Sequence, residues 1–272
     1  MTSQSRFALL LILPLAILVT AFFILPMAGL VAGSLVSRSG AITYLEILHT
    51  PRYLESLFAT VVVASITTAL TLAVTTAVAL FLARNRFPGR AALTALLTFP
   101  LAFPGVVVGF LVILLAGRQG LVGEVSRMMT GEKIVFAYSM AGLVVGYLYF
   151  SIPRVLLTLM AAAEKLDPAL EEAARSLGAS PVRVLKDIVI PALGPAFLAS
   201  GALCFATAMG AFGTAFTLAT KIDVLPMVIY TEFTLNASIA MAAALSIILG
   251  LITWVMLAIA RSLGGSSVAA AG

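Results

Sequence analysis

Apolar residues fall into six long runs, at about 7–36, 56–83, 91–116, 134–160, 192–219 and 237–261. A helix crossing a bilayer needs about 20 such residues, so each run predicts one span. The fold class is all-α: a polytopic membrane protein with six transmembrane helices. The first run follows Arg6 and is too long for a signal peptide, and five more come after it. Between the runs the chain is polar and short. Residues 37–55 contain ITYLEIL and then His49-Thr50-Pro51, which predicts a small amphipathic helix and a proline turn at the outer surface. Residues 84–90 form a tight basic turn, 117–133 carry both signs of charge, and 220–236 form an outer loop with Lys221, Asp223 and Glu232. The Gly/Ser/Ala-rich tail, 262–272, is expected to be disordered.

The longest polar break is DPALEEAARSLGASPVRVLKDIVIPALGP, residues 167–195, within a loop at 161–191. Asp167 can cap a helix whose first residue, Pro168, has no N–H to satisfy. Leu170, Ala173, Ala174 and Leu177 then recur at i, i+3, i+4 and i+7, with Glu171, Glu172 and Arg175 on the other face. Glu171 and Arg175 have the favourable i, i+4 order. Gly178 is placed for a left-handed helix end, Ser180-Pro181 starts a second helix, and Pro191 and Pro195 lead into the next apolar run. The expectation is helix, glycine turn, helix, outside the membrane, with Leu170 and Leu177 packing the loop or reaching a partner.

Inside the spans, hydroxyls of the second run can bond their own backbone or cross to neighbouring helices. Pro14 and Pro26 predict kinks in the first run. Pro100 and Pro104-Gly105 break the helical ladder in the third, which membranes tolerate where neighbours or a cavity satisfy the backbone. Such a position is either a packing kink or a pathway wall. The Gly29–Gly33 and Gly105–Gly109 spacings point to helix packing.

Composition agrees with the runs. Hydrophobic residues make up 62% and charged residues 10% of the 272, against about 25% charged in soluble domains. Mean hydropathy is +1.16. The net charge of +5 sits in scattered loop residues and makes no basic stripe with interleaved aromatics, which argues against nucleic acid. Placing both termini, the 84–90 turn, the 161–191 loop and Arg154, a charge near the cytoplasmic end of the fourth run, inside puts ten of the sixteen Lys and Arg on the cytoplasmic side, the sign membrane orientation requires. The single cysteine, Cys204, lies in an apolar run and reads as a small buried hydrophobe. The single histidine, His49, has no carboxylate or cysteine cluster beside it, so no metal site is expected. No Gly-Lys-Ser/Thr occurs, so the chain is not expected to hydrolyse ATP, and no catalytic residue is assigned. No carboxylate falls inside the six runs, which disfavours a proton-coupled carrier.

Glu172-Ala173-Ala174, three residues, Gly178, nine residues and Ile188-Val189-Ile190-Pro191 resemble the EAA loop of membrane subunits of binding-protein-dependent ABC importers. The similarity extends to Ser56-Leu57-Phe58-Ala59-Thr60, Ala83-Arg84, Ala211-Phe212-Gly213-Thr214 and Leu225–Tyr230, which look like permeases of the polyamine, thiamine, ferric-ion and phosphonate branch. The resemblance implies the importer permease (MetI-like) fold in a bacterial inner membrane. Residues 1–55 would supply an N-terminal span and outer connection, and 56–261 a five-span core. It implies two ABC ATPase subunits holding ATP and Mg, a second permease subunit (identical or paralogous) and a periplasmic or lipid-anchored binding protein. This chain itself would bind no cofactor. It also implies contact with the ATPase through Leu170, Glu172, Ala173, Ala174, Leu177, Gly178 and Pro191. Pathway candidates are Pro104, Gly105, Tyr147, Thr207, Phe212 and Thr214, each of which core packing explains nearly as well. The solute would be polyamine-like or another small molecule. An ion-coupled carrier or channel subunit is the alternative.

Overall fold

The computed structural model describes residues 12–35, 42–218 and 222–264. Arg6, Lys221 and the tail beyond Gly264 lie outside the described residues. The elements are α1 (Ile12–Gly33), α2 (Thr43–His49), α3 (Pro51–Arg84), α4 (Arg90–Ala102, ending in a 3₁₀ turn), α5 (Gly105–Ala116), α6 (Leu121–Thr130), α7 (Met140–Ala163), α8 (Pro168–Ser176), α9 (Pro181–Ala192), α10 (Gly194–Met209), α11 (Phe212–Leu218), α12 (Leu225–Thr234) and α13 (Ile239–Gly264). Among the described residues five helical stretches are long and apolar enough to cross a bilayer; α9 with α10, bent by 66°, makes a sixth if counted as one span.

The central pair is α3 against α7, with α10 packed across both and α13 covering α10 and α12. The sequence explains why α7 approaches α3 closely. Ser56, Thr60, Ala64, Thr67, Thr71, Thr75 and Ala79 make a buried stripe of small residues along α3, the kind of surface on which membrane helices pack. Three of the hydroxyls turn to their own backbone: Ser56 donates to the Tyr53 carbonyl at 2.9 Å, and Thr60 to that of Ser56 and Thr75 to that of Thr71, both at 2.6 Å, whereas the buried Thr67 and Thr71 hydroxyls find no partner among the described residues. Thr60 also accepts the Leu225 amide at 2.7 Å, satisfying an orphan donor at the start of α12. Cys204 is buried beside Leu156 and Leu159. The outermost span, α1, has no buried residue and rests chiefly on α13.

Several boundaries differ from the sequence pattern. The third apolar run is two helices, α4 and α5, parted at Phe103-Pro104, and the fifth is α10 and α11, parted at Gly210-Ala211. α3 starts at Pro51, five residues before its apolar run, because proline suits a helix's first turn. α7 starts only at Met140, where Ser139 accepts the Gly142 amide, so Tyr138 precedes the span. The connections expected at 117–133 and 220–236 each contain a ten-residue helix, α6 and α12. Their length of ten residues falls short of a span, and Glu232, expected in an outer loop, is buried and accepts from the Tyr53 hydroxyl at 3.0 Å. Pro26 and Pro191 each follow a π-helical turn, Thr20–Ile24 and Leu185–Val189. That turn absorbs the missing proline N–H and lets the helix continue.

Gly105 and Gly109 serve packing against α11. A Cβ on Gly109 would lie 2.5 Å from the Thr217 Cβ. Gly29 and Gly33 meet nothing within 4 Å.

Candidate functional site

Two regions concentrate the features singled out in the sequence. The first is the loop carrying α8. Asp167 accepts the Ala169 amide at 2.9 Å, capping α8 as its sequence predicts. At the other end Gly178 has φ +84°. Its amide donates to the Arg175 carbonyl at 2.9 Å and the Ala179 amide to that of Ala174 at 3.0 Å. This pair of bonds is a Schellman closure, which needs a left-handed residue and favours glycine. Ser180 accepts from the Arg183 amide to begin α9.

The helix is turned the other way from its pattern. Ala174 alone of the four apolar positions packs inward, against a cluster formed by Leu80, Val184, Val189 and Leu193. Leu170 is 56% and Leu177 89% exposed, so they do not pack the loop. Ala173 and Glu172 are exposed with them, and so is Pro191 at the far end of α9. Glu171 points inward instead. It pairs with Arg84 at the end of α3 and, at 3.6 Å, with Arg175. Arg90, at the start of α4, pairs with Glu164 at 2.6 Å. The basic turn between α3 and α4 therefore holds the loop by two ion pairs. Their reach across 87 and 74 residues has no local sequence signature.

The second region is a cavity of about 350 Å³ where the two helix breaks meet. Its walls include Pro100, Phe103, Phe150, Arg154, Thr207 and Thr214, with Gly105 at the start of α5. Thr214 donates to the Gly105 carbonyl at 2.9 Å, linking the breaks, while Thr207 donates to the Leu203 and Cys204 carbonyls, both at 2.9 Å. Gly105, Thr207 and Thr214 thus line the cavity. Pro104 sits just before it, as the residue capping α5. Tyr147 is 2% exposed and donates to the Ala211 carbonyl at 2.7 Å, so it holds the second break from the core. Phe212 packs with Phe216 and Tyr230 in an aromatic group. Arg154 was legible only as a charge near the end of the fourth run. With α7 extending to Ala163, it lies nine residues inside the helix end.

Among the described residues no group of three or more His, Cys, Asp or Glu could hold a metal ion. Residues 75–265 match the family described as the binding-protein-dependent transport system inner membrane component. The chain belongs to this family. It is 30% identical over 264 residues to PhnU of Salmonella typhimurium, a protein assigned to 2-aminoethylphosphonate transport as a permease, covering 93% of this chain and 92% of that one. It is 34% identical over 171 residues to the molybdenum transport system permease ModB of Escherichia coli K12, covering 61% and 74%. It is 29% identical over 229 residues to the sulfate transport system permease CysT of Salmonella typhimurium, covering 82% and 81%. The fold matches a chain in the crystal structure of a bacterial alginate ABC transporter bound to its pentasaccharide-loaded periplasmic protein, with a TM-score of 0.82 at 17% identity, over 96% of this chain and 94% of that one. This chain is an inner-membrane permease subunit of an ABC importer, and the carrier alternative has no support.

Proposed function

We propose that the subunit supplies half of a translocation pathway and is driven through α8 by a separate ATPase. The observation that carries this reading is the outward turn of α8. Leu170, Ala173 and Leu177 form an apolar strip with Glu172 beside it and no cover from the described residues, while Glu171 and Ala174 tie the helix to the membrane part from behind. One face is thus free for a partner and the other is anchored to α3 and, through its turn, to α4. Gly178 shapes the end of the docking helix, and Pro191 marks the bend into α10. Movement of α8 reaches the broken spans by these anchors. Two such subunits, identical or paralogous, would enclose the pathway, with a binding protein delivering solute on the outer side and two ATPases holding ATP and Mg inside. Closing of the ATPases draws the two loops together, and the helices rock between inward- and outward-facing arrangements. Both termini lie in the cytoplasm. The cavity at the two breaks is a stretch of the pathway, with Gly105, Thr207 and Thr214 in its wall, while Pro104, Tyr147 and Phe212 hold its frame. No cofactor is bound by this chain.

The relatives are named for 2-aminoethylphosphonate, molybdenum and sulfate. A small anionic solute is therefore the reading in place of a polyamine-like cation.

Purification of the detergent-solubilised protein from its native membrane tests the coupling. Wild type is expected to bring down an ATPase and a permease chain, and Glu172→Lys and Leu177→Asp to lose the ATPase. Retention of the ATPase by both variants at full stoichiometry would remove α8 as the docking element.

A further inference from the structure

The cavity at the helix breaks contains one charged side chain, that of Arg154. The residue is half-buried on α7, about 13 Å from the helix end at a rise of about 1.5 Å per residue. A cation within a span is costly and is ordinarily matched by a partner. Among the described residues Arg154 has none: the ion pairs all involve other groups, and its side chain enters no hydrogen bond. No carboxylate lines the cavity. Thr207 and Thr214 spend their hydroxyl protons on backbone carbonyls, which leaves the guanidinium as the strong donor. The start of α5 opens on the same space at Gly105 without a side-chain cap, and a helix N-terminus carries partial positive charge.

We propose that Arg154 is a contact for the solute in transit, binding a small oxyanion through its guanidinium fork. Planar guanidinium matches the oxygens of sulfate, molybdate or phosphonate in pairs. A polyamine meets like charge at the same point and no carboxylate to offset it. One arginine with no second cation beside it makes a passing contact and not a trap, which is what conduction needs. The inference rests on the cavity belonging to the pathway, so its test reads the two separately.

The test uses cells that lack their own uptake of sulfate, molybdate, 2-aminoethylphosphonate and putrescine and that express the complete transporter with its ATPase and binding protein. Uptake of each labelled solute is measured. At least one anion is expected to accumulate and putrescine is not. Arg154→Gln is expected to slow that anion tenfold or more, and Arg154→Lys, which keeps the charge but loses the fork, two- to fivefold. Thr207→Trp, which fills the cavity, is expected to block it. Wild-type rates in both Arg154 variants, with Thr207→Trp blocked, overturn the arginine contact and leave the pathway standing. A wild-type rate in Thr207→Trp overturns the pathway itself. Accumulation of putrescine alone, or of none of the four, overturns the oxyanion. Co-purification of the ATPase with each variant establishes assembly. If Arg154→Gln does not assemble, the rate of Arg154→Lys decides.

Discussion

Gly178 and Gly109 are constrained for opposite reasons. Gly178 has open space around it but a left-handed backbone, so a side chain there costs conformation and not room. Gly178→Val should destabilise the loop by about 1–2 kcal/mol and reduce ATPase recovery without lowering the amount of protein in the membrane. Gly109 has an ordinary helical backbone, and its Cβ would collide with Thr217 at 2.5 Å. Gly109→Val should cost about 1–3 kcal/mol by overpacking, lower the thermal midpoint of the solubilised protein, and open the α5–α11 contact beside the cavity. Equal effects of the two variants on ATPase recovery would contradict this division. The first glycine was legible in sequence from its place after a capped helical pattern. The second was legible only as a spacing, since Gly29 and Gly33 share that spacing and a Cβ on either would meet nothing within 4 Å among the described residues.

At the scale of elements, α8 shows where periodicity misleads. Leu170, Ala173, Ala174 and Leu177 recur with helical spacing, and an inward apolar face follows from them for a helix lying alone on a protein surface. The Arg84–Glu171 pair and the single inward Ala174 rotate it the other way. The local Glu171–Arg175 pair that the spacing predicts does form, at 3.6 Å, beside the tertiary partner. Arg84→Glu is therefore expected to lower ATP-dependent uptake several-fold, and Arg84→Glu with Glu171→Arg to restore much of it. No recovery in the double variant would mean that the pair does not carry motion between α8 and α3. The broken spans were legible in part: Pro100 and Pro104 mark the first break, whereas Gly210-Ala211 carries no proline, and its position depends on the Tyr147 hydroxyl arriving from α7.

For the whole molecule, the proposed orientation rests on charge. With Arg154 assigned to the pathway, the remaining Lys and Arg still favour the side bearing α8 and both termini, the sense required by positive-inside insertion. A green fluorescent protein joined after Gly272 should fluoresce, since that reporter matures in the cytoplasm, and an alkaline phosphatase joined at the same place should be inactive. The reverse pair of results would turn the molecule over and place α8 away from ATP.

The sequence by itself determined the compartment, the helical class, the run of spans, the caps of α8 and the glycine that ends it. These depend on composition and on neighbours within a few residues, where hydropathy, backbone propensity and hydrogen-bond supply act locally. Only the tertiary structure decided which face of α8 is free, that Glu232 is buried, that Thr60 caps α12 and that two helix breaks enclose one cavity around an arginine with no partner among the described residues. Each of those joins residues far apart in the chain, and in a membrane, where apolar side chains meet lipid and protein on nearly equal terms, hydrophobic pattern alone cannot say which surfaces meet.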